Sequence, residues 1–169
     1  MIINGIEFAG VSRKFPKDLK YFNQNFIEDT LFIDSSKPDI RQLVSVNVNI
    51  LEKVLKITDT PIRTSSEGKR LLGKKLVVEI ELNYKIKYLS NNKSERFVYI
   101  LSKKLVKSSY VILPKDINGK SMEDIHRKGG IILNSYVEDV YASVKNDRSI
   151  LANLCFLVSV DIKNNFIKN

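Results

Sequence analysis

The chain has one histidine, His126, and one cysteine, Cys155, and both scarcities narrow its chemistry. A lone imidazole leaves little room for a histidine metal cluster or for a Ser-His-Asp triad. A lone thiol excludes an intrachain disulfide and fits a reducing cytosol. No uninterrupted apolar run is long enough to cross a bilayer, so no membrane span is expected. Met1–Phe8 has no basic flank followed by an apolar run, so synthesis in the cytoplasm without a signal peptide is expected. No P-loop, dinucleotide-binding glycine motif or calcium loop occurs.

The remaining candidates for chemistry read as structural. Cys155 lies in Leu154-Cys-Phe-Leu-Val, the setting of a small buried hydrophobe, and His126 lies on the polar side of a short helix. Acids are paired at Glu28–Asp29, Glu123–Asp124 and Glu138–Asp139. Neighbours on a strand point to opposite faces, which keeps Glu138 and Asp139 from sharing a metal. Tyrosines such as Tyr84, Tyr99 and Tyr136 are placed to cover sheet faces with wet hydroxyls. No catalytic, cofactor-binding or metal-binding residue is therefore assigned, no cofactor is expected, and the protein is read as no enzyme.

What the chain does have is strand patterning. Its 169 residues, 43% apolar and 28% charged, suit one domain with a good core. From Lys75 to Tyr88, Leu76, Val78, Ile80, Leu82, Tyr84, Ile86 and Tyr88 share one parity. Lys75, Glu79, Glu81, Asn83, Lys85 and Lys87 share the other, and only Val77 breaks the rule. This predicts one long strand with a dry face and a charged face. Leu43–Ile57 is a second long strand, and its change of parity predicts a β-bulge near Leu51–Glu52. Phe26–Ile33, Phe97–Leu101, Lys107–Leu113, Ile131–Val144 and Ile150–Ile162 complete the strands, with Pro114 ending the third of these.

Asp34–Asp39, Asn91–Asn92 and Lys145–Arg148 are turns, and Thr58–Gly73 is a long polar connection stabilised locally by Thr64, Ser65 and Ser66. Asp18–Phe26 is read as a helical turn capped by Asp18. Ser121–Lys128 is the clearest helix: Ser121 caps toward Asp124, Met122 and Ile125 share a face, and Gly129–Gly130 stops it. The fold class that follows is mainly β, an antiparallel β-sandwich or open barrel with one or two short helices. Residues 1–25 form an N-terminal arm, 26–162 the β domain and 163–169 a frayed tail.

The formal net charge is +9, spread along the chain. Lys74–Lys75 and Lys103–Lys104–Lys107 read as solvated outer faces. Without a recognisable module, nucleic acid is not expected as a dedicated partner.

Three stretches carry a family resemblance: Lys37-Pro-Asp-Ile-Arg-Gln-Leu-Val-Ser-Val-Asn-Val; the run from Ile57 to Leu76 containing Thr60-Pro-Ile-Arg-Thr-Ser-Ser-Glu-Gly; and Tyr136-Val-Glu-Asp-Val-Tyr, followed by Asp147-Arg-Ser-Ile and Asn153. In order and approximate spacing they resemble the SPOCS domain of spore-forming clostridia, over about Phe26 to Ile162. Arg63 departs from the glycine of the family's Thr-Pro-x-Gly-Thr-Ser block, and Ser94–Ser109 lacks its histidine-containing pattern. No LysM-like block follows within these residues. The resemblance implies a structural or assembly role in the spore coat or spore surface, with other envelope proteins or the chain itself as partners. It carries no catalytic residues.

Ile2, Ile6, Phe8 and Val11 in the arm are candidates for self-assembly by strand addition, against the alternative of a disordered or self-packed terminus. A binding module for an anionic polymer, nucleic acid or cell-wall glycan, is the alternative function. A small-molecule carrier remains open.

Overall fold

A computed structural model describes residues 1–64, 66, 68, 70–91 and 97–167. The strands are β1 (Ile2–Ile3), β2 (Ile6–Ala9), β3 (Tyr21–Phe32), β4 (Ile40–Thr64), β5 (Arg70–Ser90), β6 (Val98–Pro114), β7 (Asp116–Ile117), β8 (Lys120–Ser121), β9 (Ile131–Asn146) and β10 (Ser149–Ile162), with helices α1 (Met122–Arg127) and α2 (Asn164–Ile167). β1-β2-β4-β5-β6 form one sheet and β3-β10-β9 another, while β7 and β8 make a small ribbon. The two main sheets share one core and close no barrel, so the fold is mainly β, a sandwich with two short helices.

The alternating pattern of β5 sets the core. Leu76, Val78, Ile80, Leu82, Tyr84, Ile86 and Tyr88 are all buried, facing the buried alternate residues Ile150 to Val160 of β10. β5 pairs antiparallel with β4 on one side and β6 on the other, which satisfies its backbone along its length.

Five expectations need correction. Asp18–Phe26 makes no helical turn: Tyr21 opens β3, which pairs with β10 from Tyr21↔Val160 to Phe32↔Ser149, so residue 25 lies inside a strand. Burial alternates residue by residue through β3, with inward Asn25 and Asp29 hidden from a periodicity reading because they are polar. Thr58–Gly73 is largely strand, because β4 and β5 continue pairing to Thr64↔Arg70. Phe97–Leu101 and Lys107–Leu113 are one strand, since the intervening lysines keep the alternation. The ladder is unbroken at Leu51↔Glu81 and Glu52↔Ile80; the register slips between Val54 and Lys56 instead. Glu52 tolerates the inward parity because its carboxylate accepts a 2.8 Å hydrogen bond from Ser135 Oγ. Finally, the segment read as a frayed tail contains α2, with Phe166 buried.

The helix over 122–127 forms as expected, with the Ser121 side chain accepting from the Asp124 backbone N–H at 3.2 Å and Met122 and Ile125 buried. The roles assigned to Ser65 and Asn92 lie outside the described residues. Two tight turns add to the expected ones: Asn4–Gly5 (φ 50° and 77°) joins β1 to β2, and Asn118–Gly119 (φ 51° and 73°) joins β7 to β8. Both residues of such a turn need positive φ, and Asn-Gly is the commonest pair that supplies it.

Candidate functional site

The outer face of the β3-β10-β9 sheet is built from alternate residues of three strands. β3 presents Phe22, Phe26 and Phe32, which are 48%, 68% and 64% exposed, and Glu28 lies between the last two. Across the sheet, Phe26 lies opposite Cys155 and Cys155 opposite Asp139; Glu28 lies opposite Asn153 and Asn153 opposite Tyr141. No Lys or Arg occurs in residues 21–32, 132–144 or 151–161, in a chain of net charge +9. The one base in the three strands is the exposed Lys145 beside the β9–β10 turn, so around Phe26 the strands offer aromatic rings and carboxylates. One row along from Phe26, Phe15 packs against Tyr136, ring centroids 6.1 Å apart, bringing the segment that carries Arg13, Lys14 and Lys17 onto the sheet.

Cys155 sits on this outer face, half-buried, rather than in the apolar core. Its thiol donates to Glu138 Oε2 at 3.1 Å, and Gln24 Nε2 bonds the same carboxylate oxygen at 2.7 Å. Burial first, then Glu138, pushes the thiol up to about 11, so it is held protonated and unreactive. The register slips between Cys155 and Phe156, and both Val137 and Val140 face the core. The bulge places Glu138 and Asp139 together off the core side, which corrects the expectation that they face apart. Among the described residues, no group of three or more His, Cys, Asp or Glu is placed to hold a metal ion. His126 is exposed on α1, outside the strands that flank Cys155.

The sandwich has two seams where edge strands meet without a backbone ladder. At the β3/β6 seam, Lys107 Nζ meets Asp29 at 2.6 Å, Lys103 Nζ meets Asp34 at 2.5 Å, and Ser109 Oγ donates to Asn25 Oδ1 at 2.7 Å. Lys103 and Lys107 thus lie on the inner parity of β6 and are not solvated outer lysines; Lys104 is, and pairs with Glu81. The Lys103 hydrogen bond holds the Asp34 carboxyl below its ordinary range. Arg148 clamps the adjacent corner, donating to the carbonyls of Lys37 (2.7 Å), Asp34 (2.8 Å) and Ile33 (3.1 Å) and to Asp39 Oδ1 (2.9 Å). Two of the three resembling blocks therefore meet at one guanidinium.

The candidate assembly arm occupies the other seam of its own molecule. β2 adds in parallel to β4 through Phe8↔Val46, and Ser12 N–H donates to the Val137 carbonyl of β9 at 2.9 Å. Phe8 is buried in the core, Ile6 and Val11 pack partly against it, and Ile2 is exposed. The arm and the β domain thus share one sheet, and the edge that strand addition would use is filled in cis from Glu7 to Ala9.

The outer face of the larger sheet has the opposite character. Lys53, Lys85, Lys87 and Lys104 are exposed around Leu51 and Val106, which flank Glu81 on the neighbouring strands. Lys104 holds the Glu81 carboxyl below its ordinary range. A recess of about 530 Å³ lies at the end of the smaller sheet beside α2 and is lined by Tyr21, Ile132, Ile162 and Ile167 together with Lys20, Asp161 and Lys163. No helix among the described residues is long and apolar enough to cross a membrane. Neither outer face was legible as a site, because each is assembled from strands distant in sequence. No family model, curated protein or solved structure matched the chain.

Proposed function

We propose that this protein is a non-enzymatic structural module of a bacterial spore envelope, in the coat, exosporium or a related surface layer, working through contacts with other envelope proteins or with itself. The observation that carries this reading is the row of exposed aromatic rings, Phe22, Phe26 and Phe32, on the outer face of β3-β10-β9, a surface suited to another protein. The spore setting comes from the resemblance of the three blocks to the SPOCS domain. The Arg148 clamp supports it by giving two of those blocks a joint structural task.

The test is to follow a tagged copy in a sporulating host, beside a Phe26→Ser/Phe32→Ser variant. The wild type is expected to concentrate around the forespore, and the variant, equally folded by circular dichroism, to stay diffuse. A diffuse wild-type signal throughout sporulation would count against the reading.

A second reading, binding of an anionic polymer, is favoured by Lys53, Lys85 and Lys87 on the larger sheet. Such binding weakens steeply with salt, so no retention on a polyanion at about 50 mM salt would remove it.

A further inference from the structure

The two outer faces of the sandwich differ in sign. The smaller sheet presents Glu28, Glu138 and Asp139 around Phe26, and the one base in its strands, Lys145, sits at the end of β9 by the turn into β10. The larger sheet presents Lys53, Lys85 and Lys87 around Leu51 and Val106, and Lys104 holds Glu81, which lies between those two. Around these exposed apolar side chains the larger sheet is mainly basic, and the rows through Phe26 and Glu28 on the smaller sheet are acidic. Pairing two copies through the same face would bring like charges together, which disfavours a two-fold dimer. Pairing the larger sheet of one copy with the smaller sheet of the next brings lysines to carboxylates and Leu51 and Val106 to Phe26. The bases near the smaller sheet, Arg13, Lys14 and Lys17, belong to the crossing segment that packs on Tyr136, one row along the sheet from Phe26.

We infer that copies of this chain stack head to tail, larger sheet on smaller sheet, into an open row. The contact is heterologous: the two surfaces in it are different, so each added copy leaves one free face of each kind and the row does not close by itself. With facing sheets spaced by roughly 10 Å, the repeat along the row is about 20 Å per copy. The inference rests on the assembly reading above and specifies its geometry for contacts between copies.

Charge reversal tests it with the full chain. One variant carries Lys53→Glu and Lys85→Glu; the other carries Glu28→Lys and Asp139→Lys. All four positions are exposed, and circular dichroism checks each fold. By sedimentation velocity the wild type is expected to grow with concentration past the dimer. Each variant alone is expected to remain monomeric. Their equimolar mixture is expected to recover large species, because the reversed larger sheet of one then meets the reversed smaller sheet of the other. A wild type that stays monomeric, or stops at a dimer, overturns the stack. So does growth of both variants to the wild-type size, which leaves assembly standing but moves it to other surfaces. If a reversed chain misfolds, the milder Glu28→Gln/Asp139→Asn and Lys53→Gln/Lys85→Gln pairs take its place, and unchanged growth of both pairs likewise overturns the stack. Wild-type localisation in the forespore test is independent of these outcomes, so loss of the stack and loss of the envelope role are told apart.

Discussion

At the scale of single residues, Arg148 and Cys155 show how much depends on geometry. Arg148 reaches three carbonyls and a carboxylate with a planar fork, which a lysine's point charge cannot reproduce. Hydrogen bonds from a charged donor contribute about 1.5–3 kcal/mol each at most, and this side chain is partly exposed, so Arg148→Lys is expected to lower stability by roughly 2 kcal/mol. Urea denaturation checks it; an unchanged midpoint would show the clamp to be slack. Cys155 is the pH-sensitive counterpart. With the folded thiol raised to about 11 from an ordinary 9, its thiolate fraction at pH 8 falls roughly 100-fold. Alkylation by iodoacetamide at pH 8 should be slower than for the denatured chain by about that factor, and Glu138→Gln should speed it. The sign for stability follows: the raised group contributes fully below the unfolded value near 9, and that contribution is lost as pH rises through about 11. Equal alkylation rates in folded and denatured protein would refute the buried, Glu138-bonded thiol.

At the scale of elements, the arm tests what holds the β4/β9 seam. Phe8 is 2% exposed, and Gly10 passes so close to β4 that an added Cβ would lie 2.0 Å from the Val48 carbonyl oxygen. Phe8→Ala is expected to destabilise by about 3–5 kcal/mol, as for other buried rings. Gly10→Ala, at φ 99°, should also weaken the crossing, by roughly 1–3 kcal/mol. Hydrogen exchange of the Ser12 amide reads both; protection unaffected in either variant would mean that the arm is held elsewhere. What was legible here followed period and amplitude. β5 could be read residue by residue because its inward side is wholly apolar. β3 is only half legible because Asn25 and Asp29 face inward, where Ser109 and Lys107 on a strand far along the chain bond Asn25 Oδ1 and Asp29 Oδ1. The same long-range pairing hid the bulge at Glu138, which no local pattern marks. Asn4–Gly5, by contrast, was a readable signal, and its hairpin is what starts the arm on its course. The Phe26 face was out of reach of the sequence, since its rows run across three strands whose order only the fold supplies.

At the scale of the molecule, topology orders folding. The larger sheet grows from neighbours: β4, β5 and β6 pair in sequence as a meander. The smaller sheet cannot. Its central strand, β10, is the last long strand of the chain, while its partner β3 comes before the whole meander. Loop closure over that separation costs entropy before β3-β10 contacts repay it, which slows folding toward the millisecond-to-second range or beyond. The meander's inward residues Leu76 to Tyr88 then wait uncovered until β10 arrives, and uncovered apolar strands associate. A chain truncated before Ser149 therefore lacks the strand that covers them and pairs β3 with β9. It is expected to precipitate or to bind a hydrophobic dye strongly, and adding a β10 peptide, residues 149–162, should reduce that binding. Stopped-flow refolding of the full chain supplies the kinetic check: dye binding should rise first and then decay with the appearance of native near-ultraviolet signal from the buried tyrosines Tyr84 and Tyr88. A truncated chain that stays dye-negative and folded would show that the meander covers its own face, and that the smaller sheet is an addition to a core already complete without it.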